Sequence, residues 1–280
     1  MNVKQQFSDY ITESNTPGSN KADSYIRAIG YANTMLRDFG GQFQNVGDIF
    51  SIDSIDQLKA LHTYLLAEAA KGANSQLLKA NVPPSYLKGN FCSAALRSLI
   101  GYRLAMARDA EILGILAQGE TPALIEKAFE NPLPEPEFFL EGKVKPESER
   151  GAEELERLRR FQNRRTFRRL VLQNFNDACC VSGLDVVDTL RACPIVPDKD
   201  NLSPENALCL AATYAAAFKN HLITFDEDMR LVLSPTLSEH ATGDAFRHTF
   251  KAYEGQRMLP ARYIQPSEAM MRVHREALVA

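Results

Sequence analysis

The chain has 280 residues, room for two domains of ordinary size, and its 45% hydrophobic and 24% charged residues are the balance of a chain that buries a core. A net charge of −3 excludes a uniformly basic nucleic-acid binder, so any surface for phosphates has to be local. No apolar run approaches the ~18 residues of a membrane span, and the opening MNVKQQFSDYITESN lacks the charged-then-apolar order of a signal peptide, so the expected setting is cytoplasmic with no membrane partner.

The first stretch, residues 3 to about 116, reads as helices. One is expected to start at Asn20 as N-cap, to carry Tyr25, Ile29, Ala32 and Leu36 at helical spacing, and to end at Gly40-Gly41. A second runs from about Ile55 with Leu58, Leu61 and Leu65 on one side, and stops near Gly72. Pro83-Pro84 mark a turn. A third begins near Asn90 with Phe91, Ala95, Leu99 and Tyr102 on one stripe, and a short helix covers Pro122 to Phe129. From Asn131 to Glu154 prolines alternate with glutamates, as in Pro132, Pro134, Pro136, Glu135 and Glu137. That composition reads as a linker without a core. The expected division is therefore a helical domain over 1–118, a helix and Pro/Glu-rich linker over 119–155, and a second domain over 156–280.

An arginine-rich helix is expected next, roughly Glu153 to Phe175. Phe161, Phe167, Leu170, Val171 and Phe175 form its buried side, and Arg157, Arg159, Arg160, Arg164, Arg165, Arg168 and Arg169 spread over the rest. Most charge runs are solvated helix faces. Arginine forks also bind phosphate in two-point contacts, which makes Arg164, Arg165, Arg168 and Arg169 the candidate nucleic-acid-binding residues. The five cysteines, Cys92, Cys179, Cys180, Cys193 and Cys209, are odd in number and contain no CxxC pair. They argue against a disulfide framework or structural zinc, and buried thiols are the expectation.

Four ordered pieces of the second domain carry a resemblance. They are FQNRRTFRRLVLQNFNDACCVSG, then LRACPIVP, then SPENALCL, then TYAAAFKNHLITFDED, followed by a closing YEGQRMLPARYIQPSEAMMRVHRE. Together they resemble the HNH restriction-type endonucleases over about Phe161 to Leu278. The helical part before them is similar to the small domain that precedes the nuclease in many of those enzymes and to the core-binding domain of tyrosine recombinases, and a generic helical bundle explains it as well. The resemblance implies an α+β, mainly α protein with a helical N-terminal domain and a C-terminal ββα-metal domain. It further implies a first-strand histidine as general base, a loop asparagine that holds the strand, and a helix histidine with an aspartate for a divalent metal. Residue by residue, the base position is Pro194, the helix ligand position Ala215 and the aspartate position Lys219, while the loop asparagine is kept as Asn206. Proline and alanine cannot ionise or ligate, and a lysine repels a divalent cation.

The resemblance therefore implies a nuclease-like protein without its chemistry, a pseudo-enzyme in a restriction, defence or regulatory setting. It would bind nucleic acid, DNA weakly, or a protein partner, and a homodimer stays open. No cofactor is expected under this reading. An alternative is an active endonuclease with a displaced metal site, using a divalent metal such as Mg²⁺ on Asp198, Asp200 or Tyr214. A further alternative is a protein-interaction module whose arginines meet acidic surfaces.

Overall fold

A computed structural model describes residues 2–278 apart from 17, 141, 143, 199, 200 and 241. In chain order the helices α1 (Val3–Ser14), α2 (Lys21–Phe39), α3 (Ile55–Ala70), α4 (Ser85–Lys88), α5 (Phe91–Ala117), α6 (Pro122–Glu130) and α7 (Glu149–Asn174) come first. Strand β1 (Leu190–Pro194), strand β2 (Ala207–Ala211) and helix α8 (Ala212–Lys219) follow. The remainder is β3 (Ile223–Phe225), β4 (Leu231–Leu233), α9 (Pro235–His240), α10 (Asp244–Thr249) and α11 (Glu268–Glu276). About 61% of the chain is helical and the two sheets are small antiparallel pairs, which makes this a mainly α protein of the α+β class.

The chain forms two compact units, Met1–Arg108 with Pro132–Phe161, and Asp109–Asn131 with Gln162–Ala280. The chain therefore crosses between the units three times, inside α5, at Asn131–Pro132 where the Pro/Glu-rich segment begins, and inside α7. The segment from 131 to 154 also contributes to a core. Leu133 and Leu140 are buried together with Leu158, and Phe138 and Phe139 pack on the main core of the first unit. The average composition hid four apolar side chains interleaved with prolines and glutamates, and burying them outweighs the polar character of their neighbours.

The first unit is built as its helical periodicity predicts. Ser54 caps α3 by accepting from the Gln57 N–H at 3.2 Å, and Asn2 caps α1 by accepting from Lys4 N–H at 3.0 Å. Gly40 closes α2 with its N–H on the Leu36 carbonyl, 2.8 Å away. Phe7, Ile29, Leu58, Leu61, Leu99 and Tyr102 are all fully buried in one core. The expected helix starting near Asn90 spans Phe91–Ala117, longer than the first unit needs.

In the second unit β1 and β2 pair antiparallel, from Leu190 opposite Ala211 to Pro194 opposite Ala207. α8 packs on both strands. Every residue of β2 is buried, the pattern of a strand covered on both faces. α5 beyond Asp109 and α6 supply Ile112, Leu116, Ile125 and Phe129 to the same core, which explains why residues 109–131 belong here. The second hairpin turns at Asp226, whose carboxylate accepts from the N–H groups of Asp228 at 3.0 Å and Arg230 at 2.7 Å.

Candidate functional site

The hairpin and helix place the residues that the sequence singled out. Pro194 ends β1, because its ring removes the N–H that would continue the ladder. Pairing resumes one residue later, where the Ile195 N–H donates to the Asn206 carbonyl at 2.9 Å. Asn206 sits in the turn just before β2 and is fully buried. Its side chain grips one peptide position from both sides. The Val196 N–H donates to Asn206 Oδ1 at 2.8 Å, and Asn206 Nδ2 donates to the Val196 carbonyl at 3.0 Å. A residue ten positions away in sequence thus takes the role of a strand neighbour.

Ala215 is buried on α8 beside Tyr214, Ala217 and Phe218, whereas Lys219 is exposed at the end of the helix. Pro194 is exposed. Burial pushes the Cys193 thiol up to about 11, and the charges of Arg191 and Lys219 act on the same thiol in the opposite direction. Arg191 Nη1 donates to the carbonyls of Asp188 at 2.9 Å and Leu190 at 2.8 Å, so its charge is not neutralised by those bonds. Among the described residues neither Arg191 nor Lys219 forms an ion pair.

Of the side chains named for a displaced metal site, Tyr214 and Asp198 do not assemble one among the described residues. Tyr214 is buried, its hydroxyl donates to the Thr249 carbonyl at 2.5 Å, and burial raises its pKa well above the ordinary tyrosine range. Asp198 is exposed, and Asp200 lies outside the described residues. Among the described residues no three histidine, cysteine, aspartate or glutamate side chains converge as a metal-holding group. Pro194, Ala215 and Lys219 therefore do not fit the divalent metal that the resemblance implies, and no chemistry is derived through one.

The arginines on α7 divide by their partners. Arg157 pairs with Glu154 at 2.6 Å, Arg159 with Glu156 at 2.8 Å and Arg160 with Glu156 at 3.3 Å, all within the helix. Arg169 is held by Asp109 at 2.7 Å, and Arg168 Nη2 donates to the Val187 carbonyl at 3.0 Å. Arg165 is partly buried and has partners of its own. Arg164 is exposed and makes no ion pair among the described residues. Of the four candidate phosphate contacts, Arg164 has its guanidinium most available.

Two polar clusters escape a reading of the sequence. Asp109 on α5 is fully buried, and its carboxylate accepts from Gln162 Nε2 at 2.8 Å, from the Thr166 hydroxyl and from Arg169. The segment AMARDAEILGIL carries charged Arg108, Asp109 and Glu111 together, so the sequence does not single out Asp109 as the buried one. His274 on α11 is also buried, with Nδ1 3.0 Å from the Thr224 hydroxyl and Nε2 3.0 Å from the Phe218 carbonyl. Its ring stacks on Phe218, centroids 3.7 Å apart. Burial lowers its pKa to about 4. No sequence pattern marks that histidine, since its partners are 50 and 56 residues away.

Compared with protein-family models and with curated proteins, the chain matches none.

Proposed function

We propose that the second unit is a catalytically silent, HNH-like ββα module that holds nucleic-acid phosphates with fixed cations where a nuclease holds a metal. The observation that carries the reading is the two-point grip of Asn206 on Val196, at 2.8 and 3.0 Å. It is the strand-holding role that the resemblance assigns to that asparagine. The order of strand, asparagine turn, strand and helix supports it as well.

The chemistry at the equivalent positions is missing. A base that activates water needs a group able to take a proton within hydrogen-bond reach, and Pro194 has none. Lys219 and Arg191 supply positive charge without a carboxylate beside them, and Arg164 adds a third exposed or partly exposed cation in the same unit. Such charges bind phosphate oxygens and do not cleave the ester. DNA is the expected partner, bound weakly and without sequence preference.

Two assays on the purified chain test this. Incubation of plasmid and single-stranded DNA with Mg²⁺ or Mn²⁺ is expected to give no cleavage above background. Fluorescence anisotropy with a short labelled duplex at about 50 mM salt is expected to show binding that Lys219→Glu weakens. Metal-dependent nicking that disappears in Asp198→Ala would favour the active endonuclease instead. Absence of any binding at that salt would transfer the case to a protein-interaction module.

A further inference from the structure

One face of the first unit presents a row of aromatic rings. Tyr31 on α2 meets Tyr86 on α4 edge to face, with centroids 4.5 Å apart, and Tyr86 meets Phe91 at the start of α5, with centroids 5.7 Å apart. Both tyrosines are half-buried, whereas Phe91 is 53% exposed. The exposed ring is nonetheless held in place. Asn90, just before it, takes the left-handed backbone conformation with φ 59°, which asparagine adopts more readily than most residues. A Cβ on Gly89 would lie 2.8 Å from the Phe91 ring, so glycine leaves the ring its room. Cys92, Ala95 and Leu96, the next residues of α5, are buried in the core and anchor the position.

The charge beside these rings is positive and open. Residues 69–108 include Lys71, Lys79, Lys88, Arg97, Arg103 and Arg108 but no aspartate or glutamate. Lys71 and Arg103 are taken up by Glu68 and Asp53. Lys88, between Tyr86 and Phe91 in the chain, is exposed and forms no ion pair among the described residues. The same holds for Arg27, which stands one turn before Tyr31 on the same side of α2. The carboxylates of α2, Asp23 and Asp38, lie about two turns from Tyr31 on either side, and Asp38 is paired with Arg37.

Exposed rings flanked by open cations match the two features that a nucleic-acid single strand repeats, an unpaired base and a phosphate. A duplex hides its base faces inside the stack, and an apolar protein partner gains nothing from the two cations. We propose that this face binds single-stranded DNA, with a base stacked on Phe91 and neighbouring phosphates on Lys88 and Arg27. The stacking surface lies wholly in the first unit. The choice of DNA over RNA rests on the reading of the second unit as a DNA-binding module.

Fluorescence anisotropy of the full chain tests it, with labelled oligothymidylate of about 12 nucleotides, oligouridylate of the same length and a duplex as separate arms. At about 50 mM salt the oligothymidylate is expected to bind with a Kd at or below about 100 μM. Phe91→Leu keeps apolar bulk but loses the flat ring, and is expected to weaken that binding at least about fivefold while leaving the duplex unaffected. Phe91→Tyr is expected to keep the affinity, which separates loss of the ring from misfolding. Lys88→Ala is expected to take about 0.7 from the slope of log affinity against log salt on the single strand. The proposal is overturned if the oligothymidylate does not bind at that concentration, if Phe91→Leu binds it as the parent does, or if sedimentation shows a dimer that Phe91→Leu dissolves, which would give the face to a second copy. Oligouridylate bound at least about tenfold more tightly than oligothymidylate would overturn the choice of DNA. Lys219→Glu, in the second unit, tells the two readings apart. Weakened duplex binding in that variant keeps the second-unit reading even where the single strand fails, and an unchanged duplex beside an intact Phe91→Leu effect sinks the second-unit reading alone.

Discussion

Asn206 shows how one buried amide stands in for a missing stretch of ladder. Beyond Pro194 the first strand has no continuous backbone partner, and the amide supplies both an acceptor and a donor to Val196. Replacing it by alanine strips the partner from a peptide N–H and a carbonyl in a partly buried place. Asn206→Ala is expected to cost about 2–3 kcal/mol in urea denaturation. Asn206→Asp is expected to cost no less, since it faces a carboxylate oxygen toward the Val196 carbonyl. A loss under about 0.5 kcal/mol in the alanine variant would show that water replaces both bonds.

His274 makes stability depend on pH at the same scale. Its folded pKa is lowered to about 4 by burial, and His62 in the first unit is lowered to about 4 by burial and by the charge of Arg97. In the unfolded chain each titrates near the ordinary value of about 6.5, so between these limits the unfolded state binds more protons. Stability is therefore complete above about pH 6.5 and declines as pH falls toward 4. The interval from pH 6.5 to 5, above most carboxylate titrations, isolates the histidines. Denaturation midpoints across it are expected to fall, and His274→Gln is expected to flatten the fall. A flat parent profile would refute the burial argument.

At the scale of elements, α5 and α7 are joined in the second unit by a carboxylate with three donors, not by apolar contact alone. Asp109 sits on one helix, while Gln162, Thr166 and Arg169 follow the turns of the other. Asp109→Ala removes the acceptor that these donors share and is expected to destabilise the protein by about 2–3 kcal/mol. The same geometry separates two arginines that sequence reading treated alike. Arg169→Ala is expected to lower stability and leave DNA affinity nearly unchanged. Arg164→Ala is expected to leave stability within about 0.5 kcal/mol, as exposed substitutions do, and to weaken DNA binding. Paired measurement of melting and anisotropy in the two variants checks the contrast, and equal effects of both on binding would erase it. The intrahelical pairs of Arg157, Arg159 and Arg160 with Glu154 and Glu156 are half-exposed and contribute only a few tenths of a kcal/mol each.

At the scale of the molecule, charge arrangement matters more than net charge. A chain at −3 binds a polyanion only through a local excess of cations. Each phosphate that such a patch neutralises adds about 0.9 to the slope of log affinity against log salt on duplex DNA. With Arg164, Arg191 and Lys219 engaged, the slope is expected near −3, and Lys219→Ala is expected to remove about one phosphate from it. A slope indistinguishable from zero would mean that whatever binds is not held by phosphate contacts.

The helices of the first unit are legible in the sequence because periodicity and caps act locally. Lys21–Phe39 and Ile55–Ala70 begin and end close to Asn20, Gly40, Ile55 and Gly72, although the Asn20 side chain makes no capping hydrogen bond among the described residues. Pro194 at a strand end, Asn206 in a turn and Ala215 on a helix are placements that the resemblance implied. What the sequence does not determine depends on distant partners. The Pro/Glu-rich stretch belongs to a core because Leu133 and Leu140 meet Leu158, a contact that no local window contains. Arg169 is a structural cation because Asp109, 60 residues away in sequence, accepts from it, while Arg164 makes no ion pair among the described residues. Tertiary structure decides which polar groups are satisfied and which remain open to a ligand, since a hydrogen bond or ion pair requires distance and direction that residue type alone does not encode.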